Sequence, residues 1–201
     1  MKFADPPFWE SALLESPWML IAVMVIMAAA LFWHGTQRDD KKARRAAFVA
    51  AALAVLIWLI SFLVTTPRET LMQQSSEVVH ATSPFSQAKL DELLDMNAGV
   101  IGADGALWLQ GRDVISMTLE RAIEQYRVEN NFVSVRGVEV NGQRGRSHLV
   151  VRSMLGGEYG GRPVRTEWLL VWAGNDKGEW RVQSIQWLEL NGQEPPRGIV
   201  W

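Results

Sequence analysis

Two runs of 22 residues, Ser16–Gln37 and Ala46–Pro67, contain no Asp, Glu, Lys or Arg, and only eight residues separate them. At about 1.5 Å per residue, roughly 20 residues cross a hydrocarbon core of about 30 Å. A lone apolar segment in lipid satisfies its backbone internally only as a helix. The spacing therefore predicts a membrane hairpin over residues 1–67, with helices at about 17–36 and 46–66 and a connecting loop at 37–45. Trp18 and Trp33 bracket the first span, as aromatic residues do at the headgroup level. A cleaved signal peptide would need a basic leader and a small-residue cleavage site. Here Asp5, Glu10 and Glu15 outnumber Lys2, which disfavours cleavage. The connection carries Arg38, Lys41, Lys42, Arg44 and Arg45 against Asp39 and Asp40. By the positive-inside rule this loop is expected in the cytoplasm of a cytoplasmic or inner membrane, with both termini on the far side.

Residues 68–201 are enough for one domain. They hold 14 Lys and Arg against 17 Asp and Glu, a net charge of −3 with no basic stripe, so nucleic acid is not an expected partner. The chain has no cysteine, hence no disulfide framework and no thiolate ligand. No set of His, Asp and Glu shows metal spacing, and no cofactor is expected. Neither Gly102-Ala-Asp-Gly105 nor the glycines of 156–161 has the Lys and following helix of a phosphate loop.

Glu69–His80 reads as a helix, a stalk or first domain helix within 68–82, and an α+β domain follows over 83–192. Ser83-Pro84-Phe85-Ser86 is a stop followed by a start. Leu90, Leu93 and Leu94 form a short helical stripe expected to end at Asn97-Ala98-Gly99. Two short strands flank Ala103-Asp104-Gly105. Arg112–Arg127 is an amphipathic helix with Ile115, Leu119, Ala122 and Tyr126 on one face and Val114 and Ile123 widening it. Four strands then follow, at 132–140, 148–155, 164–173 and 179–190, each joined by turns rich in Gly and Asn. Pairing outward from Gly174–Gly178 places Trp172 near Trp180, Leu170 near Val182 and Trp168 near Ser184. The opposite face carries Arg165, Glu167, Arg181 and Gln183. One aromatic and one polar face predict helices on one side of the sheet only.

This element order, with the closing strand Gly178-Glu-Trp-Arg-Val-Gln-Ser-Ile-Gln-Trp187, resembles the nuclear-transport-factor-2-like (SnoaL or ketosteroid-isomerase-like) superfamily over about residues 70–190. The resemblance implies a cone of helices on a curved antiparallel sheet. It does not select an activity, because the superfamily includes isomerases, cyclases, hydratases, transport factors and secretion scaffolds. The isomerase site of Tyr and protonated Asp finds no match among these residues.

Five indoles, Trp108, Trp168, Trp172, Trp180 and Trp187, precede the tail and either fill the cone or line an apolar pocket. Trp108, Tyr126, His148, Arg152, Trp168 and Trp172 are the pocket candidates. His148 is expected on the same face as Val150, Arg152, Thr166, Trp168 and Leu170, where an imidazole could act as a base; the favoured reading is a partly buried histidine bonded to backbone, or a surface one at the strand end. Glu120 and Glu124 read as a solvated helix face. Tyr159 reads as an exposed turn residue, and the tail 193–201 ends in an apolar Ile199-Val200-Trp201 that either frays or docks. No catalytic residue is assigned. The leading expectation is an extracytoplasmic interaction or scaffold module that meets a partner protein or a second copy through Arg165, Glu167, Arg181 and Gln183. The alternative is a binding domain or enzyme for a small apolar molecule.

Overall fold

The computed structural model describes residues 18–63, 66–157, 161 and 163–195. Tyr159 and the Ile199-Val200-Trp201 tail lie outside them. The chain divides into two compact units, one over Ala4–Thr66 and one beginning at Pro67.

In the first unit, helices α1 (Trp18–Gln37) and α2 (Lys41–Leu63) pack against each other. The second helix starts five residues earlier than expected, because Asp40 caps it by accepting a 2.8 Å hydrogen bond from the Lys42 amide. The basic residues Lys41, Lys42, Arg44 and Arg45 therefore occupy the opening turns of α2 rather than a loop. Arg44 pairs with Asp39. The helices meet through small residues: Gly35, Ala47, Ala50 and Ala54 are buried. A Cβ at Gly35 would come within 2.9 Å of the Arg44 backbone nitrogen. Ile26, Phe48 and Val55 point outward, as a lipid-facing surface requires. Both helices are long and apolar enough to cross a membrane.

The second unit is α+β. Helix α3 (Pro67–His80) is followed by α4 (Gln87–Leu93), β1 (Leu94–Ile101), β2 (Leu107–Gln110), α5 (Arg112–Tyr126), β3 (Val128–Asn141), β4 (Arg144–Leu155), β5 (Pro163–Gly174) and β6 (Trp180–Leu190). One six-stranded sheet runs in the order β2-β1-β6-β5-β4-β3. All neighbours are antiparallel except β1 and β6, so the sheet is mixed. Helix α3 is a domain helix rather than a free stalk, since Leu71, Ser75, Val78 and Val79 are buried and it packs on β3 and β4. Asn97-Ala98-Gly99 does not stop a helix. Helix α4 ends at Leu93, and these residues run within β1, where Ala98 is fully buried and Gly99 pairs with Gln110.

Two features of the sheet correct the sequence reading. Trp172 stands opposite Val182, and Gly174 opposite Trp180, one pair further along than expected, with irregularities at Glu167/Trp168 and Val171/Trp172. The face assignment of Trp168, Leu170 and Trp172 survives that shift, because two residues restore the pleat. Strand β4 does not survive it. His148 pairs with Leu169, and Arg152 with Arg165, so both lie on the face opposite Trp168. The expected face of His148, Val150 and Arg152 is wrong by one residue, which exchanges every side chain. The inward set of β4 is Gly145, Ser147, Leu149, Val151, Ser153 and Leu155, and the outward set includes Arg146, His148, Val150 and Arg152. Gly and Ser interrupt the inward apolar pattern, so the face is fixed by pairing with β5.

The inward Ser147 is satisfied rather than exposed. It accepts 2.7 Å and 2.8 Å hydrogen bonds from Ser75 Oγ and Trp172 Nε1, in a buried chain that ties α3 to the sheet. Gly145 is small for a reason of approach. A Cβ there would lie 2.3 Å from Leu71 Cδ1.

Candidate functional site

Helices α3 and α5 and the inward sheet face do not close on each other completely. They leave a half-open cavity of about 460 Å³ between them. Helix α5 contributes Ile115, Thr118, Leu119, Ala122, Ile123 and Tyr126, the stripe that its period of 3.6 aligns. Helix α3 contributes Val78 and Val79, and the sheet supplies Val100, Leu149, Val151, Leu155, Thr166, Trp168, Leu170, Ile185, Trp187 and Leu190. Arg127 follows α5 in a left-handed conformation, φ 46°, which stops the helix and turns the chain into β3.

No Asp, Glu, Lys, Arg or His belongs to the described wall; its polar members are Thr82, Thr118, Tyr126, Asn131, Ser153, Thr166 and Asn191. Most of their hydrogen-bonding capacity is already committed. Thr118 Oγ1 donates to the Val114 carbonyl at 2.8 Å, Thr166 Oγ1 accepts from Trp168 Nε1 at 2.7 Å, and Asn191 Oδ1 accepts from the Arg165 amide at 2.9 Å. A charged group placed inside would be desolvated without a counter-ion. The arrangement is suited to holding an apolar body of small-molecule size and contains no carboxylate or imidazole for acid–base chemistry.

The sequence candidates divide between three places. Trp168 and Tyr126 line the cavity. Trp172 is fully buried beside Ser147 and belongs to the packed core. Trp108 meets Trp187 edge-on, with centroids 5.9 Å apart, and is not part of the cavity wall. His148 and Arg152 lie on the outward face of the sheet, so His148 is not placed to act as a base in the cavity. Its Nε2 is 2.9 Å from Glu167 Oε2, and Glu167 also pairs with Arg165, which in turn reaches Glu189 at 2.6 Å. Of the residues expected on an association face, Arg165 and Glu167 therefore form one ion-pair network with His148 and Glu189. Arg181 and Gln183 are exposed on β6 outside it. Glu120 and Glu124 are exposed on α5. Trp187 is the cavity residue that the sequence reading left among the general core. It stacks on Trp168 at 5.4 Å and 12°, and only the true β5–β6 register brings the two together.

No protein-family model matches the sequence, and no curated protein matches it. Solved structures do. A domain of unknown function with a cystatin-like fold from Nostoc punctiforme aligns at 20% identity over 62% of this chain and 78% of its own, with a TM-score of 0.51. A variant of the protein Rd1NTF2_05 aligns at 16% identity over 61% of this chain and 99% of its own, with a TM-score of 0.50. The domain has the NTF2-like fold. An NTF2-like superfamily protein from Salmonella enterica is also similar, at 10% identity over 66% of this chain and 94% of its own, with a TM-score of 0.49. At these identities the likeness is one of fold, and it bears out the resemblance drawn from element order and the closing strand. An NTF2-like domain here follows two apolar helices.

Proposed function

We propose that this chain is a membrane-anchored binding protein for an uncharged, largely apolar small molecule. The observation that carries the reading is the cavity of about 460 Å³ whose described wall holds no charged side chain. Its size falls in the range of small-molecule sites, roughly 300–1,000 Å³. Burial of apolar ligand surface there is worth about 25 cal/mol per Å², with no charge to desolvate on the protein side. The apolar helices α1 and α2 hold the chain in a bilayer, where hydrophobic molecules concentrate. The basic start of α2 supports a cytoplasmic connection, with the NTF2-like domain on the opposite side of the membrane.

The test is extraction of the full chain with a lipid-preserving polymer, followed by mass spectrometry of the organic-soluble material that remains bound. A stoichiometric small molecule, lost when Ala122→Trp fills the cavity, is the expected result. Retention of the same molecule by that variant, with the domain folded, refutes the site.

Association through the outward sheet face is a second reading, favoured by Phe132. This residue is 64% exposed on β3, opposite Arg152 and near the Arg165–Glu167 network. Phe132→Ser should shift the full chain toward monomer in sedimentation if a second copy or a partner protein covers that face. An unchanged distribution removes the reading for self-association.

A further inference from the structure

We propose that α2 carries a binding site for an anionic phospholipid, with the phosphate held by Lys41, Lys42 and Arg45 and an acyl chain lying along Val49, Leu53 and Leu56. The site is independent of the cavity and rests on the hairpin as a membrane anchor. Residues 38–45 hold the cations Arg38, Lys41, Lys42, Arg44 and Arg45 against two carboxylates, a net charge of +3. Both carboxylates are engaged within the hairpin: Asp39 pairs with Arg44, and Asp40 accepts the Lys42 amide at 2.8 Å. Arg44 itself lies beside Gly35 of α1. Lys41, Lys42 and Arg45 are exposed and form no ion pair among the described residues.

Helix geometry aligns these cations with an apolar stripe. At 3.6 residues per turn, Lys42, Arg45, Val49, Leu53 and Leu56, spaced three, four, four and three apart, share one face of α2, and Lys41 sits one turn before Arg45. Ala47, Ala50 and Ala54, buried at the contact with α1, occupy the other side. Val49, Leu53 and Leu56 are exposed, so in a bilayer this face meets acyl chains. Arg45 to Leu56 rises about 17 Å, close to one leaflet of hydrocarbon, about 15 Å. A phospholipid with a chain on that stripe therefore brings its phosphate to the three cations, whose long stems reach toward the headgroup level. A choline headgroup carries its own cation, which opposes the cluster. A glycerol headgroup leaves the phosphate charge unbalanced, and the cluster supplies what it lacks.

The test is native mass spectrometry of the full chain in an uncharged detergent, titrated with dioleoyl phosphatidylglycerol or dioleoyl phosphatidylcholine. The glycerol lipid should be retained at a concentration at least about tenfold lower, the preference that a few cations at a bilayer surface supply. The combined variant Lys41→Gln, Lys42→Gln, Arg45→Gln should bring the two lipids together. Removing three exposed cations from the other unit, with Arg144→Gln, Arg146→Gln and Lys177→Gln, should leave the preference intact. Equal retention of both lipids by the native chain, or a preference that survives loss of Lys41, Lys42 and Arg45, overturns the site. Displacement of the lipid by an equal concentration of glycerol phosphate overturns the part assigned to the acyl chain and makes the cluster a site for free phosphate. A chain that stays dissolved without detergent overturns the membrane anchor, and the site with it. The native comparison needs no variant.

Discussion

Trp168 and Trp172 lie four residues apart on the same face of β5, yet replacing them with Ala should cost different amounts. Trp172 is fully buried and donates a hydrogen bond to Ser147. An indole that buries roughly 200 Å² at about 25 cal/mol per Å² gives about 5 kcal/mol, the upper part of the usual range for Trp→Ala in a core. Trp168 is half-buried and one of its surroundings is the cavity. Its transfer term is therefore about half as large, and with about 0.5–1.5 kcal/mol for the Trp187 stack the sum is roughly 3–4 kcal/mol, while the void it leaves merges with space already present. The expected difference is about 1–2 kcal/mol. Pulse proteolysis of the full chain in nanodiscs across a urea series measures it, because the read-out is intact protein and does not depend on the missing fluorophore. Equal costs, or a larger cost at Trp168, would mean that the wall at Trp168 is packed and that the cavity does not reach it.

Gly145→Ala should destabilise the domain by about 1–3 kcal/mol, because its methyl group meets Leu71 Cδ1. Combined with Leu71→Ala, itself worth about 2–5 kcal/mol, the double variant should be at least about 1 kcal/mol more stable than additivity predicts; strict additivity in the same assay would show that α3 and β4 do not press on each other there. Glu167→Gln removes the carboxylate shared by His148 and Arg165. Its cost, about 1 kcal/mol given the partial exposure of Arg165, should shrink in high salt, and a cost that salt leaves untouched would assign the loss to packing instead. The absence of cysteine makes topology directly measurable. In a bacterial inner membrane, Lys177→Cys should react with a membrane-impermeant maleimide from outside and Lys42→Cys only after permeabilisation, and the reverse pattern would invert the hairpin.

The hairpin and the fold class were legible in the sequence because each rests on a long, repeated signal: twenty uncharged residues, or an apolar stripe over four turns of α5. The site was only half legible. Tyr126 and Trp168 could be placed near a pocket because a helix period and a tight turn each fix a face locally. His148 and Arg152 were misplaced because β4 begins after a Gly142-Gln143 turn and mixes Gly145, Ser147 and Ser153 with Leu149, Val151 and Leu155 inward, which weakens the alternation that fixes a face. Those inward positions answer to Leu71, Ser75 and Trp172, which belong to other elements. The first half of strand β1 was hidden for a similar reason. Its Asp95, Asn97 and Gly99 look like a helix terminus, whereas Val100-Ile101, expected as a strand, pairs with Ile185 and Gln186 of β6. Long-range partners of this kind leave no local trace in composition or spacing.

That parallel pairing of β1 with β6 has a consequence for how the protein is made. The first strand of the domain finds its central neighbour in the last, so Leu94 waits for Val182, and Val100 for Ile185. As the chain emerges, β3, β4 and β5 can assemble in order, but β1 and β2 remain an orphan hairpin until β6 slots between the two halves. A ribosome stalled or a message cut short before residue 180 would leave a fragment with the facing edges of β1 and β5 unpaired and Ile185, Trp187 and Leu190 missing from the apolar wall. Such a product presents a template for aggregation. Closure of this sheet is thus written into β6: only a chain translated past Leu190 can join β1 to β5.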